Sequence, residues 1–274
     1  MTREVPGGAP TGAPASPTPL LEMRGIEKYY GPVHALTEVE FAVRAGEVMG
    51  LVGDNGAGKS TLIKTISGVG PADAGEIRFA GELVRVRNPQ HAAALGVAAV
   101  YQDLALCDNL DVVGNLFLNR EERRWGRRGL LDEVAMEEQA RRLLESLSIG
   151  GLPDVRREVA TMSGGQRQSV AITRALLGEA KLVILDEPTA ALGVVQTEQV
   201  LQLVRRLRDR GLGVVLVSHN LADVFTVADR ITVLRLGRNA GTFPAEPAFR
   251  QEVVAAITGV TGDLAPTGSE DADS

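Results

Sequence analysis

After Val52 the chain reads Gly53, Asp54, Asn55, Gly56, Ala57, Gly58, Lys59, Ser60, Thr61, a G-x-x-x-x-G-K-[ST] pattern between an apolar run and the helix-like TLIKTISG. Glycine lets the backbone curl until several N–H groups point at one spot, and the helix that follows adds its positive end. That is a cradle for polyphosphate. Lys59 is placed to reach the β- and γ-phosphates of a nucleoside triphosphate, and the Ser60 hydroxyl to ligate Mg2+. A turn that merely links strand to helix has no use for Lys-Ser in this register.

A second group of residues supplies acid. KLVILDEPTAAL is an apolar strand that ends in Asp186 and Glu187 just before a proline. Alone, two acids at a strand end are a solvated pair. Beside a phosphate loop, Asp186 becomes a Mg2+ partner and Glu187 a base for the attacking water. A third stretch, TMSGGQRQS, opens a helix at Ser163, Gly164, Gly165 and Gln166. Glycine costs about 1 kcal/mol against alanine inside a helix, so two in a first turn need a local reason. Ser163 as a simple N-cap would not require them.

The elements that must hold these residues alternate between strand and helix. LLEMRGIEKYY, LTEVEFAV and EVMGLVG are three β-like runs separated by Gly-Pro and Ala-Gly turns. Val97 to Val100, Leu182 to Leu185, Val214 to Val217 and Ile231 to Leu234 are short and continuously apolar, as strands of a parallel sheet covered on both faces are. Met136, Ala140, Leu143, Leu144 and Leu147 fall at helical spacing after a candidate N-cap, Asp132, and Val200, Leu201, Val204 and Leu207 repeat the pattern. From about 103 to 178 the chain contains helices but no convincing strand, which predicts a helical insertion between two strands of the sheet. The expected fold is α/β, a P-loop NTPase with a mostly parallel core sheet and an N-terminal antiparallel β subdomain.

Composition narrows the function classes. The chain has 274 residues, of which 44% are hydrophobic, enough for one large domain with a real core. A net charge of −6 removes the broad basic field of a nucleic-acid binder, so no nucleic acid is expected. The single cysteine, Cys107, excludes an intramolecular disulfide and a cysteine-based metal site, and fits a reducing cytoplasm. No apolar run approaches the roughly 18 residues of a membrane span. Residues 1–19, rich in Pro, Gly, Ala and Thr, and the acidic residues 260–274 are expected to be disordered tails on a nucleotide-binding domain at 20–259.

Taken in order, the motifs resemble those of the ATP-binding cassette ATPases over nearly everything between the tails. Gly53 to Thr61 is followed by Gln102 in VYQD, Ser163 to Gln166 in MSGGQ, Asp186 and Glu187, and His219 in LVSHN. The resemblance implies ATP and Mg2+ as cofactors. It implies two nucleotide-binding domains head to tail, with Ser163, Gly164, Gly165 and Gln166 of one meeting the γ-phosphate held by the other. By the same resemblance Gln102 touches Mg2+ and the attacking water, His219 contacts the γ-phosphate, and Tyr30 stacks on adenine, with Tyr29 its neighbour and competitor. Met162 replaces the family's usual Leu, and Gly193 stands where many members carry an aspartate that reaches the partner domain.

The resemblance extends to the ATPases of bacterial monosaccharide importers, through VYQDLALCDNLDVVGNLFLNREE and the segment from Pro188 to Arg238. It implies a peripheral ATPase on the inner face of the membrane, docked on transmembrane permease subunits that a solute-binding protein feeds. REERRWGRR, Arg120 to Arg128, is a candidate part of the docking surface. The alternative is a soluble cassette ATPase without a permease, for example one serving iron–sulfur cluster assembly. A GTPase is disfavoured by the missing guanine-reading N-K-x-D.

Overall fold

The computed structural model describes residues 18–124, 129–147 and 154–260. Nearly all of both expected tails, and 125–128 of the arginine-rich run, lie outside the described residues. Three strands open the chain: β1 (Leu21–Tyr30), β2 (Val33–Val43) and β3 (Val48–Val52), then α1 (Lys59–Ile66). β4 (Ala74–Phe79), β5 (Glu82–Val84), α2 (Pro89–Leu95) and β6 (Val97–Val100) follow. The middle is helical, with α3 (Val112–Phe117), α4 (Glu133–Ser146) and α5 (Gly164–Ala175). The chain ends on β7 (Leu182–Asp186), α6 (Val194–Asp209), β8 (Gly213–Val217), α7 (Leu221–Val227), β9 (Arg230–Arg235), β10 (Arg238–Pro244) and α8 (Arg250–Thr258).

Two sheets form, as the patterning predicts. One is antiparallel, in the order β2-β1-β4-β5, and the other runs β10-β9-β3-β8-β7-β6 with only the β9–β10 pair antiparallel. Every residue of β3 and β8 is buried, which is why these strands read as unbroken apolar runs. α1 lies in the core that joins the two sheets. Its Leu62, Ile63 and Ile66 bury beside Leu36, Phe41, Met49 and Leu51, each side chain contributing about 1.5–3 kcal/mol. The other face of the larger sheet is covered by α6, α7 and α8 through Leu201, Val204, Val224 and Val253.

β4, β5 and β10 are absent from the sequence reading. They are short or glycine-bearing, and their order comes from a partner strand: β4 pairs with β1 through Met23 and Ile77, and β10 pairs with β9. The helical region holds no strand among the described residues, only isolated bridges such as Asp111 to Glu158. Asp132 caps α4 as expected, its carboxylate accepting from the Ala135 N–H at 3.3 Å. α3 and α4 have a core of their own, Val112, Leu116, Phe117, Met136, Ala140 and Leu144, which Met162 and Val170 join. Ala171 and Ile172 pack instead on the large sheet, so α5 is shared between the two bodies.

Candidate active site

The Gly53–Thr61 loop and the candidates Gln102, Asp186, Glu187 and His219 follow the C-terminal ends of neighbouring parallel strands, where an open α/β sheet places its ligands. β3 delivers the phosphate loop, β7 ends in Asp186, and His219 follows β8 by two residues. In the loop Gly53, Gly56 and Gly58 have φ of 149°, 80° and 103°. A Cβ on Gly53 would sit 2.2 Å from the Leu234 carbonyl oxygen, so only glycine fits. Gly58 is the N-cap of α1 and has no side-chain cap, which leaves the first-turn amides of α1 facing outward. Lys59 donates from Nζ to the Gly53 and Asp54 carbonyls at 2.7 and 3.0 Å. The ammonium thus closes the curl of the loop on itself.

The cavity over this loop, about 410 Å³, is lined by Asn55, Gly56, Ala57, Gly58, Lys59, Ser60 and Thr61 on one side. Val33, His34, Ala35, Leu236 and Gly237 line the other. Asp186 is half-buried and has no ion pair among the described residues. Burial raises its pKa, and the neighbouring Glu187 raises it further, while Lys59 and Lys64 work in the opposite direction. Glu187 adopts φ 51°, with its N–H bonded to the Val217 carbonyl at 2.9 Å. Its Oε2 lies 2.8 Å from His219 Nδ1. Against an ionised carboxylate, which only accepts, that nitrogen is the donor. Glu187 is thus paired with an exposed imidazole next to Asp186, and the influence of Lys59 on Asp186 ties this strand end to the phosphate loop.

The family profile described as ABC transporter matches residues 36–190, more than half of the chain. The chain belongs to the ABC transporter family. It is an ATPase of that family, its hydrolysis coupled to transport. It is 46% identical to the fructose import ATP-binding protein FrcA of Rhizobium meliloti over 88% of this chain and 94% of that protein. It is also 46% identical to the xylose/arabinose import ATP-binding protein XylG of Sulfolobus acidocaldarius, over 80% of this chain and 86% of that one. Against the ribose import ATP-binding protein RbsA of Chromobacterium violaceum the identity is 44%, and the match spans 46% of that longer protein. A nucleotide-free ATP-binding cassette from an ABC transporter superposes with a TM-score of 0.76 at 26% identity, covering 87% of this chain and 98% of that one.

In this ABC transporter ATPase the signature residues stand apart from the cradle: none of Ser163, Gly164, Gly165 and Gln166 lines it. Ser163 caps α5 in a capping box, its Oγ accepting from the Gln166 N–H at 3.3 Å and the Gln166 Oε1 from the Ser163 N–H at 3.0 Å. The two glycines already have a use within one chain. A Cβ on Gly164 would meet Leu192 Cδ2 at 2.8 Å, and one on Gly165 would meet Gln196 Cβ at 2.9 Å. Gly193 is the N-cap of α6 and faces the same Gln196, whose Oε1 would lie 2.6 Å from an added Cβ. Met162 is buried, as an apolar replacement for leucine should be.

Gln102 is exposed just beyond β6. The loop that follows it is gripped by α5: Arg174 donates to the Leu104 and Ala105 carbonyls, both at 2.7 Å. Burial lowers the pKa of this guanidinium. Tyr30 is not among the residues lining the cradle. Its ring sits 5.5 Å from the Lys28 ammonium, and a Cβ on Gly70 would meet its hydroxyl at 3.1 Å. Sequence reasoning passed over His34, Leu236 and Arg174. For His34 the signal was available, because the tight Gly31-Pro32 turn sets it opposite Tyr29.

Proposed function

We propose that this chain is the ATP-hydrolysing subunit of a monosaccharide uptake system, working as a pair of head-to-tail copies beneath a transmembrane permease. The phosphate loop, with Lys59, binds the β- and γ-phosphates, and the first-turn amides of α1 add donors. The donor set fits Mg2+: a Ser60 hydroxyl, an Asp186 carboxylate in want of a cation, and the Gln102 amide are hard oxygen ligands that leave room for phosphate oxygens. When bound, the ion would neutralise charge on the phosphates.

Glu187 takes the proton of the attacking water as its oxygen bonds to the γ-phosphorus and the bond to the bridging β–γ oxygen breaks, leaving ADP and phosphate. His219 orients Glu187 through the 2.8 Å contact, the observation on which the reading chiefly rests. Ser163 to Gln166 are not among the residues lining this chain's cavity, and the family resemblance assigns the signature that touches the γ-phosphate to a second copy. ATP then holds the pair together, and hydrolysis loosens it, which gives a stroke for the permease.

No helix among the described residues is long and apolar enough to cross a membrane. The permease, and the solute-binding protein that feeds it, enter this reading as further partners. The import names borne by its relatives favour sugar uptake over a cassette that serves no permease. Glu187→Gln is expected to keep ATP affinity, to trap the dimer in size-exclusion chromatography with Mg-ATP, and to slow phosphate release about 100-fold or more. Unchanged turnover refutes the assignment of the base.

A further inference from the structure

A carboxyl group that the hydrolytic chemistry does not use lies buried behind the base. Asp223, in the first turn of α7, is 8% exposed, and its Oδ2 accepts from the Thr189 hydroxyl at 2.7 Å. Thr189 stands two residues after Glu187. The bond therefore joins the loop that follows β7 to the helix that follows β8.

α7 is a firm anchor. Its Val224 and Val227 are buried, and Val224 packs where β3 carries Gly50: a Cβ on that glycine would meet Val224 Cγ1 at 2.6 Å. Asn220 caps the helix, its Oδ1 accepting from the Ala222 N–H at 3.0 Å. The loop tied to this anchor is strained. Glu187 and Ala191 have φ of 51° and 58°, in the left-handed region that residues with a Cβ rarely adopt. Pro188 adds to the strain at Glu187, because a proline drives the residue before it toward extended backbone.

Such a conformation persists only where its surroundings over-determine it. Two bonds across the strand ends do so here, the Glu187 N–H to the Val217 carbonyl at 2.9 Å and the Thr189 hydroxyl to Asp223. The His219 side chain, 73% exposed, meets the Glu187 carboxylate but not the backbone beneath it.

We infer that Asp223, acting through the Thr189 hydroxyl, is a positioning residue of the hydrolytic site, holding the left-handed turn at Glu187 so that its carboxylate stays in place to take the proton of the attacking water. The inference rests on Glu187 being the base and adds what keeps that base in position. Asp223 and Thr189 are assigned no contact with nucleotide, so their loss falls on kcat and not on ATP affinity.

The test compares steady-state phosphate release, and ATP affinity by calorimetry, for wild type, Thr189→Val, Asp223→Leu and the double variant. Each single change removes one side of the bond and is expected to lower kcat about five- to tenfold, the effect of one lost hydrogen bond, with KM and ATP affinity within about twofold of wild type. The double variant should lose no more than the worse single one. Thr189→Ser keeps the hydroxyl and should hold kcat within about twofold of wild type. On a Glu187→Gln background, Thr189→Val should change turnover no further. Unchanged kcat in Thr189→Val, an equal loss in Thr189→Ser, losses that multiply in the double variant, or a rise in KM at constant kcat overturns the inference. Should Asp223→Leu fail to fold by circular dichroism, Thr189→Val against Thr189→Ser decides alone. Wild-type turnover in Glu187→Gln would instead strike the assignment of the base.

Discussion

Glycine does different work at the two ends of the proposed site. At the phosphate loop it is required by the backbone: Gly53, Gly56 and Gly58 all have left-handed φ, and the space beside Gly53 is filled by a main-chain oxygen. At the start of α5 the backbone is ordinary helix, and Gly164 and Gly165 are small because Leu192 and Gln196 lie against them. A main-chain constraint has no local remedy. A side-chain constraint has one, because the neighbour can be cut away.

The contrast is sharpest at Gly53. Gly53→Ala is expected to lose about 3 kcal/mol or more in urea unfolding, from strain and a main-chain clash together, with no recovery from trimming nearby side chains. Gly165→Ala should cost less, about 1–3 kcal/mol by overpacking, and should leave ATP binding to the separate subunit intact. A double-mutant cycle with Gln196→Gly then shows a favourable coupling, because the second change removes the Cβ that the first one meets. Zero coupling breaks the comparison, since the α5 glycines would then answer to something other than their neighbours.

The smallest effect extends the contrast to charge. The folded-state pKa of Asp186 is raised, so its ionised form is penalised in the fold, fully above that pKa and not at all once the group is protonated. Asp186→Asn is therefore expected to raise the melting temperature at neutral pH without nucleotide by about 1–3 °C, the gain fading as the pH falls through the range of Asp186. The same variant should lose magnesium-dependent turnover. A thermal scan over pH checks the first half and phosphate release the second.

The strands and helices that carry the site were legible because burial wrote them as periodicity: β3, β7 and β8 are buried apolar runs, and α4 announces itself with a capping aspartate. The glycine loop and the Asp186–Glu187 pair were legible because their chemistry needs fixed residue types at fixed spacing. What escaped depends on contacts remote in sequence. Nothing around Gly165 states that Gln196, in another helix, will occupy the space beside it. Tyr30 stood out as the aromatic of the motif, yet the turn that follows brings His34 onto Tyr29 and into the cavity. β10, with a glycine among few apolar residues, takes its order from β9.

Arg174 gives α5 a mechanical character. One half-buried guanidinium grips two successive carbonyls of the loop beyond Gln102, while the opposite end of the same helix begins at Ser163. Twelve residues make a rod of roughly 18 Å. A load that shifts the loop must drag this rod or snap both bonds, so travel imposed at the handle is delivered at the tip.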